Sequence, residues 1–221
     1  MAMDKRRFPR VLERCGDIAA LSVEEGGDVS VTRVYNDFLA VPGSAYLDAD
    51  KALKDAEAKE KKERKEGLAA LEAITDPYAK VRKLAFMYVK DRSLPAALSD
   101  LPTDTDKMEG IRLLLEIVDE NKAADWAKEL VEDTSPNSFV NLAPIAIREI
   151  DEWSRASVSV QKARNKRAEL YGVAYEAYLS FKDMVRTVFG PSSIHYRRIH
   201  VKSNGKIALD DVDGDDDGTE T

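Results

Sequence analysis

Apolar residues recur along this chain in steps of three and four, which predicts helix over most of its length. The longest seam lies between about Pro144 and Phe189. It passes through Ile150, Trp153, Ala156, Val160, Ala163, Leu170, Ala174, Tyr178, Phe181, Val185 and Val188, and Arg167 interrupts it. An unbroken helix over 144–189 would span ~69 Å at ~1.5 Å per residue. The Ser154–Val160 stretch has poor helix propensity and is expected to kink it. A second seam, at Ala49, Leu53, Ala56, Gly67, Leu71 and Ile74, predicts a helix over 45–74. Its middle is charged from Glu57 to Glu66 except at Ala58. Glu57–Lys61, Lys59–Glu63, Glu60–Arg64 and Lys62–Glu66 are spaced to support a helix from within. Such a stretch either projects into solvent or forms one face of a thin coiled-coil pair.

Shorter elements fill the rest. Asp76-Pro77 reads as a cap and a first helical turn, starting a helix to about Lys90 through Tyr78, Val81, Leu84, Ala85 and Tyr88. Pro95 and Pro102 mark a loop. Asp104 or Thr105 caps a helix through Met108, Ile111, Leu114, Leu115 and Val118, and Trp126, Ala127 and Leu130 suggest a separate short one. Near the start, Phe8, Val11, Leu12 and Cys15 predict a helix from about Pro9. Leu21, Val23, Val29 and Val31 flank Gly26-Gly27, and a hairpin and a helix–turn–helix both fit there. Pro42-Gly43-Ser44 reads as a boundary. Gly190-Pro191 stops the long helix. Beyond it, Ile199 and Val201, then Asn204-Gly205, then Ile207 and Leu209 read as a small β-hairpin at 198–209.

The expected fold is therefore mainly α: an elongated antiparallel helical bundle, or long helical hairpin, with a small C-terminal β-hairpin. Residues 1–43 form an N-terminal segment packing on a bundle at 44–190, the hairpin occupies 191–209, and 210–221 is an acidic tail expected to be disordered.

Composition changes this picture in one respect. The 221 residues carry a formal charge of −7, with 34 bases against 41 acids. Seven of the acids lie in the tail (Asp210, Asp211, Asp213, Asp215, Asp216, Asp217 and Glu220), which has no base. Residues 1–209 are thus formally neutral. The single Cys15 excludes a disulfide framework and suits a reducing compartment, and no apolar run approaches the ~20 residues a membrane span needs. The basic start (Lys5, Arg6, Arg7) is followed by Arg10, Glu13, Arg14 and Asp17 rather than an apolar signal region, so a cytoplasmic protein without membrane contact is expected.

A di-metal carboxylate site in a bundle needs Glu-x-x-His, and both histidines, His195 and His200, follow the last long helix with Ser192 and Arg197 three residues before them. Asp213, Asp215, Asp217 and Gly218 match the start of a calcium loop, but its closing Glu is missing, so a solvated tail is the better reading. No nucleophile elbow or phosphate-binding Gly loop is present, and Cys15 on an apolar stripe reads as core. Tyr171, Tyr175 and Tyr178 likewise read as bundle core. No catalytic residue, cofactor or metal is expected.

Basic residues cluster in the first fourteen positions, at Lys162, Arg164, Lys166 and Arg167, and in a C-terminal patch. The patch comprises His195, Tyr196, Arg197, Arg198, His200, Lys202 and Lys206, a candidate interaction or polyanion surface next to the acidic tail. The neutral body argues against strong nucleic-acid binding, which draws its affinity from phosphate contacts. The expected function is a non-enzymatic structural or protein–protein interaction role, as an adaptor or assembly component. It would use a protein partner or self-association through the long helices. The alternatives are a nucleic-acid-associated protein using the basic hairpin, modulated by the tail, and an enzyme of unrecognised class.

Overall fold

The computed structural model describes residues 7–24, 29–90 and 92–200. The tail, Lys202, Lys206, the Asn204-Gly205 turn and Gly26-Gly27 lie outside the described residues. The elements are helical throughout: α1 (Phe8–Glu24), α2 (Val29–Val34), a π-helical turn (Tyr35–Leu39), α3 (Ala40–Tyr88), a 3-10 turn (Leu98–Asp100), α4 (Asp104–Glu120), α5 (Asp125–Glu132), α6 (Phe139–Phe189) and α7 (Ile194–Ile199). They fall into two compact units, Met1–Lys54 with Ala163–Thr221, and Asp55–Lys162. Residues 1–43 and 191–200, read from the sequence as flanking segments, belong to the first unit together with the C-terminal part of α6.

In the first unit α1, α2, the start of α3, the end of α6 and α7 enclose one core. Phe8, Val11, Leu12, Cys15, Ile18, Val31, Leu39, Tyr46, Ala174, Tyr178, Phe181, Val185 and Ile199 are buried there. The stripe at Phe8, Val11, Leu12 and Cys15 makes α1 helical because it gives the helix one apolar face to bury. It continues through Ile18 and Ala19, and the described parts of the 21–33 segment, 21–24 and 29–33, are helical. The Pro42-Gly43-Ser44 boundary is also helical. The π-helical turn just before it carries the Ala40 N–H to the Tyr35 carbonyl. That local re-registering lets the helix pass Pro42, which has no N–H to give.

The second unit holds the rest of α3 and α6 with α4 and α5, around Leu71, Ile74, Tyr78, Val81, Ala85, Ile111, Leu114, Ile117, Ala127, Phe139, Ala143, Ala146 and Ile150. The expected break at Asp76-Pro77 is absent: α3 is one helix of 49 residues with Pro77 inside it. A proline inside a helix costs about 3 kcal/mol. Here Ile74, Tyr78, Val81 and Ala85, at most 2% exposed, continue one buried stripe through it, and that burial outweighs the cost. The Thr75 hydroxyl donates to the Leu71 carbonyl (2.7 Å) one turn earlier. α6 is likewise unbroken over 51 residues, so Ser154–Val160 does not interrupt it, and the Ser159 hydroxyl back-bonds to the Arg155 carbonyl at 2.9 Å. Thr103, rather than Asp104 or Thr105, caps α4. Its side chain accepts from the Asp106 N–H and the Asp106 carboxylate accepts from the Thr103 N–H, a reciprocal capping box.

α3 and α6 run antiparallel within each unit. In the first, Tyr46 meets Tyr171 (6.0 Å between ring centroids) and Asp50 meets Arg167 (2.8 Å). In the second, Glu60 accepts from the Trp153 indole N–H (3.3 Å), and Tyr78 meets Phe139 (6.2 Å). Within the charged run of α3, Arg64 sits over the Trp153 ring and Glu63 is only 6% exposed. The run is therefore one face of a helix pair rather than a projection into solvent. Gly67 is where the backbones come close: a Cβ there would lie 3.2 Å from the Trp153 ring.

Gly190, at φ +82°, ends α6 as its position predicted. Ser193 then caps α7, accepting from the Tyr196 N–H at 3.1 Å. Residues 194–199 are helical, so the first strand expected from about 198 does not begin there. The remainder of the expected hairpin lies outside the described residues.

Candidate functional site

The sequence-predicted patch is split. His195, Tyr196, Arg197 and Arg198 ride on α7, and His200 follows as its C-cap. α7 is itself anchored, because the buried Tyr178 hydroxyl donates to the Ile199 carbonyl at 2.7 Å. His195 packs on Phe189 (4.7 Å) and Tyr196 stacks on His200 (5.1 Å). His195, through Phe189 of α6, and Tyr196, packed against the core of the unit, thus help dock α7. Arg197 is exposed and Arg198 half-buried; among the described residues neither forms an ion pair, and neither does the exposed Arg10 on α1, the helix against which α7 packs. Lys202, Lys206 and the tail aspartates Asp210, Asp211, Asp213, Asp215, Asp216 and Asp217 lie outside the described residues.

Two groups resembling reaction chemistry are structural. Cys15 is fully buried among apolar neighbours. Burial, with a smaller contribution from Asp17, pushes its thiol well above the usual range, so it stays protonated and unreactive. A thiol-specific disulfide reagent at pH 8 is expected to leave Cys15 unmodified in the native protein and to titrate one thiol after denaturation. Rapid native labelling, read at 412 nm, would contradict this. Tyr171, Tyr175 and Tyr178 surround Phe8, with ring centroids 5.2, 5.9 and 5.9 Å from it, as an aromatic core.

Asp50 is the second buried group, 4% exposed on α3. Arg167 of α6 approaches its carboxylate to 2.8 Å and Lys54, one turn along α3, to 2.9 Å. Burial alone would raise this carboxyl. Hydrogen bonds from Lys54 and Arg167, and their charges, outweigh burial and hold it below the usual range. Arg167 fills the position where the α6 seam is interrupted, so the interruption is the partner of a buried acid.

Other groupings were not visible in the sequence. Glu63, Glu66 and Glu149 bring their carboxylates within 4.8 Å of one another. Lys62 lies 3.3 Å from Glu66 and 4.0 Å from Glu63, and Arg148 lies 2.6 Å from Glu149. Two bases, Lys62 on α3 and Arg148 on α6, face the three acids, which makes this a cluster of ion-paired charges where the two helices meet.

The C-terminal end of α3 is different in kind. Phe86, Met87 and Tyr88 are 75%, 51% and 61% exposed, three large apolar side chains in succession. The Tyr88 ring stacks parallel to Trp126 of α5, with 6.0 Å between centroids and 1° between planes. Leu84, Tyr88, Ala123, Ala124, Asp125, Trp126 and Glu129 line a cavity of about 590 Å³. Asp125 and Glu129 are exposed and, among the described residues, form no ion pair. The sequence marked Tyr88 and Trp126 only as members of two helical stripes. Their pairing depends on how the 89–103 segment and α4 return the chain.

No helix among the described residues is long and apolar enough to cross a membrane. Compared with protein-family models, curated proteins and solved structures, the chain matches none.

Proposed function

We propose that this is a non-enzymatic helical interaction protein, an adaptor or assembly component, which contacts another protein chain through the end of α3. The observation that carries this is the run Phe86-Met87-Tyr88. Single exposed apolar residues are ordinary, but three consecutive large ones, the last of them stacked on Trp126, resemble the apolar centre of a contact surface. Elsewhere among the described residues the exposed large apolar side chains, such as Val41, Val158 and Val173, do not follow one another in the chain. Light scattering across a hundredfold concentration range tests the reading. The full chain is expected to self-associate or to copurify in a fixed ratio with another protein, and Phe86→Ser/Met87→Ser to abolish that while keeping the helical circular dichroism. A monomer at every concentration with no stoichiometric companion overturns it.

A second reading has its own observation. Arg10, Arg197 and Arg198 carry charges with no ion pair among the described residues, on two helices packed together, α1 and α7. A polyanion, nucleic acid included, would satisfy them. In that case a mobility shift at low salt weakens in Arg197→Ala/Arg198→Ala and strengthens when the chain is truncated after Leu209, because the seven acids of the tail no longer compete. Absence of a shift with and without the tail eliminates this reading.

A further inference from the structure

The Tyr88–Trp126 cavity has the chemistry of a cation receptor. An aromatic ring attracts a positive charge over its face through its quadrupole, out to about 6 Å from the centroid. Here the Tyr88 and Trp126 rings stack on each other with 6.0 Å between centroids, so a cation would meet the outer face of one ring rather than the space between them. Beside them on α5 stand two carboxylates one turn apart, Asp125 adjacent to Trp126 in sequence and Glu129 one turn along from Trp126 on its side of the helix. Other acids around this end of the unit are already engaged: Asp119 with Lys122 (3.1 Å), Glu132 with Lys128 (3.9 Å), and Glu116 and Glu120 with Arg92. Asp125 and Glu129 have no such partner among the described residues. Leu84, Ala123 and Ala124 complete the lining with small or aliphatic surface. That combination fits an aliphatic stem carrying a charged head, as in lysine and arginine. A volume of about 590 Å³ is within the range of ligand pockets.

We infer that this cavity receives a lysine or arginine side chain from an exposed segment of a protein partner. The inference rests on the interaction reading above and specifies what that partner must present. The charge argument excludes an acidic partner segment at this spot, since it would bring like charges against Asp125 and Glu129.

Calorimetric titration of the full chain at 150 mM salt tests it, with a capped tetralysine peptide as probe and its fully acetylated form as control. Tetralysine is expected to bind and the acetylated form to bind at least about tenfold more weakly, because acetylation removes the charge. Asp125→Asn/Glu129→Gln should weaken tetralysine binding. Tyr88→Ala and Trp126→Ala should each weaken it about tenfold. These last two leave the net charge unchanged, so attraction to the acidic tail cannot account for their effect. Tyr88 is 61% exposed, which makes its replacement the safer variant should Trp126→Ala unfold. Tetralysine bound equally by the wild type and Tyr88→Ala, or no binding by the wild type, overturns the inference. If Phe86→Ser/Met87→Ser still abolishes association while tetralysine fails to bind, the cation site alone is overturned and the interaction reading stands.

Discussion

Replacing Phe8 with alanine is expected to destabilise the protein by about 3–5 kcal/mol, the usual loss when a buried phenylalanine is truncated. Phe8 is 0% exposed, and four rings surround it: Tyr46 at 5.1 Å, Tyr171 at 5.2 Å, and Tyr175 and Tyr178 at 5.9 Å each. Removing it deletes the apolar contact and the edge-on aromatic pairings together, each pairing being worth about 0.5–1.5 kcal/mol beyond area. The surrounding rings come from α3 and α6, so collapse around the gap would require long helices to move. Phe8→Leu should cost less than half as much, because it refills most of the volume and loses only ring geometry. Urea unfolding followed at 222 nm checks both variants. A midpoint for Phe8→Ala within error of wild type would mean that α1 contributes nothing to the stability of this core.

The second large effect is expected at Arg167. Arg167→Ala leaves Asp50, whose side chain is 6% exposed, with Lys54 as its remaining cation, and Lys54 is largely in solvent. Breaking a buried pair from one side costs more than the pair is worth, because a charge is left without adequate compensation. A loss of about 2–3 kcal/mol is expected, below the full range because Arg167 is itself 27% exposed and Lys54 stays. Arg167→Ala/Asp50→Leu should recover part of the loss, since it replaces the orphaned carboxylate with apolar surface.

The pH dependence has a definite sign. The folded Asp50 carboxyl lies below its unfolded value of about 3.9, so its contribution is fully present above that value and is lost as pH falls through the depressed folded one. The gap in stability between wild type and Arg167→Ala is therefore expected to be constant at neutral pH and to narrow below about pH 4. A gap unchanged down to pH 2 would show that the Arg167 contribution is packing rather than charge.

Much of the helix content was legible because burial has a period. Ile150, Trp153, Ala156 and Val160 recur at the spacing of one helix face, and the structure turns that face inward. Stop signals were legible where geometry permits one residue: Gly190 at φ +82° ends α6. Proline was misleading. Pro77 carries a strong local signal for a helix start, yet Ile74, Tyr78 and Val81 bury a stripe that runs through it. Local preference lost there to tertiary burial, which is larger. The charged run at 57–66 was legible as helix, but its spacing left open whether it faces solvent or a partner helix, since the contact that Glu60 and Arg64 make on Trp153 has no apolar signature on α3. The expected strand near Ile199 is helix because alternation over so few residues also fits a capped turn, and Ser193 supplies the cap.

The candidate surface was less legible than the fold. The patch at 195–200 stood out because basic and aromatic residues are adjacent in sequence, and part of it serves to dock α7. The Tyr88–Trp126 cavity joins residues 38 positions apart, and no local pattern announces such a meeting.

Sequence alone determined that this chain is helical, where its apolar faces lie, that its net charge resides in the last twelve residues, and that Arg167 breaks an otherwise apolar seam. These follow from spacing and composition, which each segment carries by itself. Only the tertiary structure decided that Asp50 answers Arg167, that α3 continues through Pro77, and that Tyr88, Trp126, Asp125 and Glu129 share one cavity. Those outcomes depend on which distant faces are buried together, and burial energy belongs to pairs of segments rather than to either one.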